Sequence, residues 1–141
     1  MNYPSKSLAS EHLPLTSKPL TEYSLSQEQL QRVYDFMDTY LSNKIRLEEL
    51  ATLINTKPTY FSKQFKRATG LPPHQYLLWQ RLEKAKALLR HSKLSVAEVS
   101  QLAGFFDQSH LVRYFKARVG TTPQHYRNST LEDSSVRVSN P

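Results

Sequence analysis

The chain has 141 residues, 19 Lys plus Arg against 12 Asp plus Glu, three Gly and no Cys. That length holds one domain of ordinary size or two very small ones, and the missing Cys excludes disulfides, thiolate metal sites and a cysteine nucleophile. A formal charge of +7 points to an acidic partner, nucleic acid ahead of an anionic membrane surface.

Residues 1–24 carry Pro4, Pro14 and Pro19 among Ser, Thr and Leu with no sustained periodicity, and read as a flexible tail. Ser26 with Gln29 makes a capping box ahead of a helix whose apolar face is Leu30, Val33, Tyr34, Met37 and Leu41. Leu47, Leu50, Ala51 and Ile54 give a short second helix. Pro58 opens a third, with Phe61, Phe65 and Ala68 inward and Gly70 as its C-terminal cap. Pro73 opens a longer helix to about Arg90, with Tyr76, Leu77, Leu82, Ala85, Leu88 and Leu89 as its apolar positions. Ser95 with Glu98 makes a second capping box, before Val96, Val99, Leu102 and Ala103. After Gly104 comes a helix capped by Asp107, with Leu111 and Phe115 inward. Residues 128–141 are polar and read as a second flexible tail. No run alternates with period two long enough for a strand, so the fold class is all-α.

The excess charge belongs to residues 25–127, which hold 16 basic and 8 acidic side chains. It is unevenly spread. No acid occurs from Lys57 to Gln80, where Lys57, Lys63, Lys66 and Arg67 cluster. None occurs between Asp107 and Glu132, where Arg113, Lys116, Arg118 and Arg127 fall. One such run is as well explained by a solvated helix face. Two at matching places in a repeat are not.

The repeat is internal. Phe61, Phe65 and Lys66 answer Leu111, Phe115 and Lys116 at an offset of 50, as Gly70, Pro73 and Tyr76 answer Gly120, Pro123 and Tyr126. The preceding helix matches at 49, with Leu47, Leu50 and Leu53 against Val96, Val99 and Leu102; the extra residue falls around Gly104, Phe105 and Phe106. Each half is a short helix, a tight turn and a basic helix, the helix-turn-helix plan in which the second helix enters the major groove.

Residues 104–127, GFFDQSHLVRYFKARVGTTPQHYR, resemble the signature of the AraC/XylS family of bacterial transcription regulators. The upstream half fits as well: LEELA, then YFSKQFKRATGLPPHQYLLWQRLEKAKALL with its Arg81, Leu82, Ala85, Leu88 and Leu89 pattern. The resemblance covers roughly 25–127. It implies two helix-turn-helix units joined by a central linker helix, about seven helices in all. It departs from the family at Leu111, where an aromatic is usual, and at Phe106, where a small polar residue is common. Lys57 and Arg46 stand where a capping Ser or Thr is common, so those two helix starts are expected to be less well fixed.

Core positions claim the inner face of each second helix, leaving its exposed N-terminal positions to read bases. In the first these are Thr59, Tyr60, Ser62 and Lys63; in the second, Gln108, Ser109, His110, Val112 and Arg113. Arg holds guanine bidentately, Gln does so with adenine, and Val112 suits a thymine methyl. The resemblance implies that Thr59, Lys63, Gln108, Ser109 and Arg113 face bases. Lys57, Lys66, Arg67, Lys116 and Arg118 suit phosphate. Packing competes for some of these: Tyr60 and His110 also fit as helix-docking side chains, and Trp79, Tyr76 and Tyr126 fit a core better than a base-stacking role. A linker of about 18 residues spans roughly 27 Å, against about 34 Å between successive major-groove segments on one face of DNA. An asymmetric double-stranded site bound by a monomer is therefore expected.

An enzyme reading finds little, and no cofactor or metal is expected. His12, His74, His91, His110 and His125 show no ligand spacing, and neither GxGxxG nor GxxxxGKS/T occurs. Asp35 and Asp38 lie on one helix face where solvation explains them. Related helical domains occur in some DNA-repair alkyltransferases, whose chemistry needs cysteine. The start lacks a signal-peptide core and no run approaches ~18 apolar residues, so a cytoplasmic product without a membrane role is expected. The function expected is sequence-specific transcriptional regulation, by family analogy activation through RNA polymerase. The alternatives are a non-specific or architectural nucleic-acid binder, or the DNA-binding fragment of a larger effector-sensing regulator; residues 1–24 are too few to form a sensing domain.

Overall fold

The computed structural model describes the backbone of residues 24–139 and the side chains of 24–132. The expected N-terminal tail, apart from Ser24, lies outside these. Seven helices and no strand occur among the described residues: α1 Gln27–Thr39, α2 Leu47–Leu53, α3 Pro58–Thr69, α4 Pro73–His91, α5 Val96–Ala103, α6 Gln108–Val119 and α7 Pro123–Ser139. They form two units that divide inside α4, between Leu78 and Trp79.

In the first unit Ser26 and Gln29 make the expected reciprocal cap of α1: the Gln29 amide donates to Ser26 Oγ at 3.1 Å and the Ser26 amide to Gln29 Oε1 at 2.9 Å. The apolar stripe of α1 is buried as its spacing requires, Val33 and Met37 completely. Phe61 and Phe65 of α3 and Tyr76 of α4 are equally buried. Tyr34 stacks on Tyr76 with centroids 5.2 Å apart, and Phe65 meets the two rings edge-on at 6.3 and 5.1 Å. Such pairs add about 0.5–1.5 kcal/mol each beyond the area they bury. Burial pushes the Tyr34 phenol up to about 12 and Tyr76 higher still, so both stay neutral across the physiological range.

Neither Arg46 nor Lys57 caps its helix with its side chain. Both starts are supported in another way. Glu49 Oε1 accepts from the Arg46 amide at 2.9 Å, and Pro58 at the first position of α3 has no amide to satisfy.

The turn between α2 and α3 closes by two backbone bonds, Asn55 N–H to the Thr52 carbonyl (3.1 Å) and Thr56 N–H to that of Ala51 (2.9 Å). This is a Schellman arrangement, which requires a left-handed residue at its centre. Asn55 supplies it at φ 56°.

The second unit repeats the plan. Ser95 and Glu98 cap α5 reciprocally, Glu98 N–H to Ser95 Oγ at 3.1 Å and Ser95 N–H to Glu98 Oε1 at 2.9 Å. These bonds hold the Glu98 carboxyl below its ordinary range. The inner face of α5 is Val99, Ser100 and Ala103, matching Leu50 and Ala51 of α2 and its C-cap Ile54 at an offset of 49. Leu102, expected inward, is 45% exposed. The small, buried Ser100, whose hydroxyl donates to the Ala97 carbonyl at 2.7 Å, occupies the inner place instead. The turn to α6 closes as before, Gly104 N–H to the Gln101 carbonyl and Phe105 N–H to that of Ser100, with Gly104 left-handed at φ 89°.

Helix α7 docks on the C-terminal end of α4. Arg127 Nε donates to the Leu89 carbonyl at 2.9 Å, Arg90 Nη1 donates to the Tyr126 hydroxyl, and the Tyr126 ring meets buried Phe115 edge-on at 5.3 Å. Arg127, counted among the free cations of the second acid-free run, is thus an anchor. Residues from 128 on, expected as a tail without regular structure, continue the helical backbone to Ser139. They follow directly from this docked first turn and contain no Pro or Gly to stop a helix before the terminal Pro141.

Candidate nucleic-acid interface

Helices α3 and α6 each carry their core residues on one face, Phe61, Gln64, Phe65 and Thr69 in α3, Leu111 and Phe115 in α6. Residues three, four and seven apart share a helix face. Opposite the core of α3, Thr59, Lys63 and Lys66 therefore form one exposed stripe, and opposite that of α6 Ser109, Arg113 and Lys116 form another. The two stripes coincide position by position at an offset of 50. Each begins with a small hydroxyl residue and continues with two cations.

The remaining sequence-predicted positions flank these stripes. Gln108 is exposed in the first turn of α6, and Ser62 and Val112, equivalent to one another, are half-buried. Tyr60 and His110 are a half-buried pair on the other flank. His110 is tied to the turn before α6: its Nδ1 accepts from the Phe106 amide at 3.4 Å and its ring meets Phe105 edge-on at 5.3 Å. Asp107 caps α6 by accepting from the His110 amide at 2.8 Å. Lys57 and Arg67 are exposed at the two ends of α3.

Arg118 stands apart from the other cations. Its helical position corresponds to Ala68, which packs against the core in the first unit. Its guanidinium lies over the Tyr114 ring, 5.3 Å from the centroid. Arg118 is itself exposed, and the cation–π contact ties its charge to the Tyr114 ring.

The electrostatics agree on both helices. Neither contains an acid, and Lys63, Lys66, Arg113 and Lys116 have no ion-pair partner among the described residues. An ion pair that does form, Lys86 with Glu83 at 3.2 Å, lies on α4. Exposed cations that satisfy no internal acid attract an external polyanion and release its counterions on contact.

One further feature of this surface is apolar. Phe106, noted only as a departure from family habit, is 90% exposed immediately ahead of α6. The signal was present in the repeat: Phe106 is the residue at which the offset between the units changes from 49 to 50.

Comparison with known proteins gives a consistent answer. The profile of a helix-turn-helix domain family matches residues 50–129. Regulatory protein PocR of Salmonella typhimurium is 33% identical over 105 residues, 74% of this chain and 35% of its own. A crystal structure of the DNA-binding domain of the global transcriptional factor AdpA, in complex with a target DNA, superposes with a TM-score of 0.68 at 31% identity, over 72% of this chain and 91% of that one. A Chromobacterium violaceum transcriptional regulator with an AraC-type DNA-binding domain shares the fold at a TM-score of 0.68 and 21% identity, over 74% of this chain and 93% of that one. The chain spans 35–41% of the length of curated relatives that it matches.

Proposed function

The chain belongs to the AraC/XylS family of helix-turn-helix transcription regulators, and on that footing we propose that residues 25–127 bind double-stranded DNA in a sequence-specific manner through α3 and α6. The observation that carries this reading is the duplication of one exposed stripe, Thr59-Lys63-Lys66 and Ser109-Arg113-Lys116, on the second helix of each unit. A second helix of this kind lies in a major groove with its N-terminal residues at base edges. Thr59, Lys63, Gln108, Ser109 and Arg113 read bases in this proposal, with Tyr60, Ser62, His110 and Val112 at the margins of the contact. Lys57, Lys66, Arg67 and Lys116 bind phosphate. Arg118, exposed beside Tyr114, joins them.

The finer parts of the reading are proposals of the same kind. The chain acts as a monomer on an asymmetric site of two successive groove segments. It activates transcription in contact with RNA polymerase, works in the cytoplasm, uses no cofactor and catalyses no reaction. Among the described residues no helix is long and apolar enough to cross a membrane.

In vitro site selection followed by competition binding tests the central claim. A selected duplex should be preferred over random duplex by at least ~10³ at physiological salt. Equal affinity for both would leave a non-specific or architectural binder in its place.

A further inference from the structure

A phenylalanine exposed to 90% is an unfavourable thing for a fold to hold in water, and at that exposure its ring adds almost nothing to the packing in return. The turn is closed by the amides of Gly104 and Phe105, and α6 is capped by Asp107. Its backbone is nonetheless well fixed. The Phe106 amide donates to His110 Nδ1, Phe105 on one side is buried, and Asp107 on the other is bonded to the His110 amide. The exposed ring thus stands on a bonded backbone two residues ahead of Gln108, at the start of the helix that carries Ser109 and Arg113. The first unit has no counterpart, since Thr56 is followed directly by Lys57.

We propose that Phe106 is a specificity-determining residue whose ring packs against the C5-methyl group of a thymine in the groove segment read by α6. The inference rests on the DNA-binding reading above. The helix that follows the ring favours an acidic occupant: the one neighbouring acid, Asp107, is engaged in capping α6, and beyond it no acid occurs until Glu132 while Arg113 and Lys116 stand exposed. The apolar group that duplex DNA offers in its major groove is the thymine methyl, and a side chain without hydrogen-bonding atoms reads bases only through it. Phe106 therefore distinguishes thymine from cytosine, and thymidine from deoxyuridine, which differs by that methyl alone. The contact is confined to the second unit.

The test uses the full chain and a duplex obtained by site selection, with each thymine replaced singly by deoxyuridine. One replacement should weaken wild-type binding about fourfold, the scale of one buried methyl. Phe106→Ala should lose about as much on the thymine duplex and nothing further on that deoxyuridine duplex, with unchanged helix content. The proposal is overturned if the selected site contains no thymine, if Phe106→Ala binds like the wild type, or if it loses the same factor on every duplex. A wild-type chain that binds selected and random duplexes alike overturns the parent reading as well, which separates the two failures.

Discussion

Asn55 and Gly104 hold the same left-handed place in the two interhelical turns, at φ 56° and 89°. Each sits where the chain leaves the first helix of its unit, and each is followed by an amide that bonds back into that helix. Left-handed backbone costs an L-residue roughly 1–2 kcal/mol, less for Asn, whose short polar side chain bonds locally, and nothing for Gly. Asn55→Ala should therefore destabilise by about 1 kcal/mol, and Asn55→Gly should be neutral or slightly stabilising. Gly104→Ala should lose about 1–2 kcal/mol. Urea unfolding of the three variants checks the order; equal losses for both substitutions at Asn55 would rule out φ as the cause.

Arg113 and Lys116 lie on one stripe and should fail differently. Arg113→Ala should cost ~1–3 kcal/mol on the selected duplex and little on random DNA. Lys116→Ala should weaken both about equally and reduce the salt dependence of binding by about one counterion. Titrations at several salt concentrations distinguish them. A uniform loss for Arg113→Ala would make it a phosphate contact.

The two capping boxes differ in one way that pH exposes. Gln29 closes the first and cannot titrate in this range, whereas Glu98 closes the second and has its pKa lowered by its bonds to Ser95. A carboxyl with a depressed folded pKa contributes stability that is present above its unfolded pKa and is lost as pH falls through the folded one. The melting temperature of the wild type should therefore drop more between neutral and acid pH than that of Glu98→Gln, which keeps the acceptor without the charge. Parallel melting curves for the two proteins across that range would contradict this.

Phe65 and Phe115 are the buried rings at equivalent places in α3 and α6. Truncating either to Ala should cost about 3–5 kcal/mol, from lost burial and the cavity left behind. The loss at Phe65 includes its edge contacts to Tyr34 and Tyr76, and that at Phe115 its contact to Tyr126. Thermal unfolding followed by circular dichroism reads both.

Local chemistry explains most of what could be read from the sequence. Ser26, Ser95 and Asp107 cap their helices because a hydroxyl or carboxylate satisfies an amide three residues on, and that needs no knowledge of the rest of the chain. The stripe of α1 and the paired aromatics of α3 follow from period alone. What escaped depends on neighbours. Leu102 is as apolar as Val99, yet Ser100, whose equivalent in α2 is the small Ala51, holds the inner place. Arg118 is as basic as Arg113, yet the aromatic four residues before it captures its guanidinium. Arg127 and Arg90 become docking residues only once α7 returns to α4. In α3 and α6 the hydrophobic pattern shows which side faces inward, and the outward stripes follow by subtraction.

The extra residue in the second turn is flanked by bonds that do not involve its side chain: those closing α5 end at the Phe105 amide, and the cap of α6 begins at Asp107. Length and side chain can thus change at this joint while the register of the helices on either side is kept. It is a graft point, where the exposed surface ahead of α6 gains or loses one residue and the packed interior is untouched.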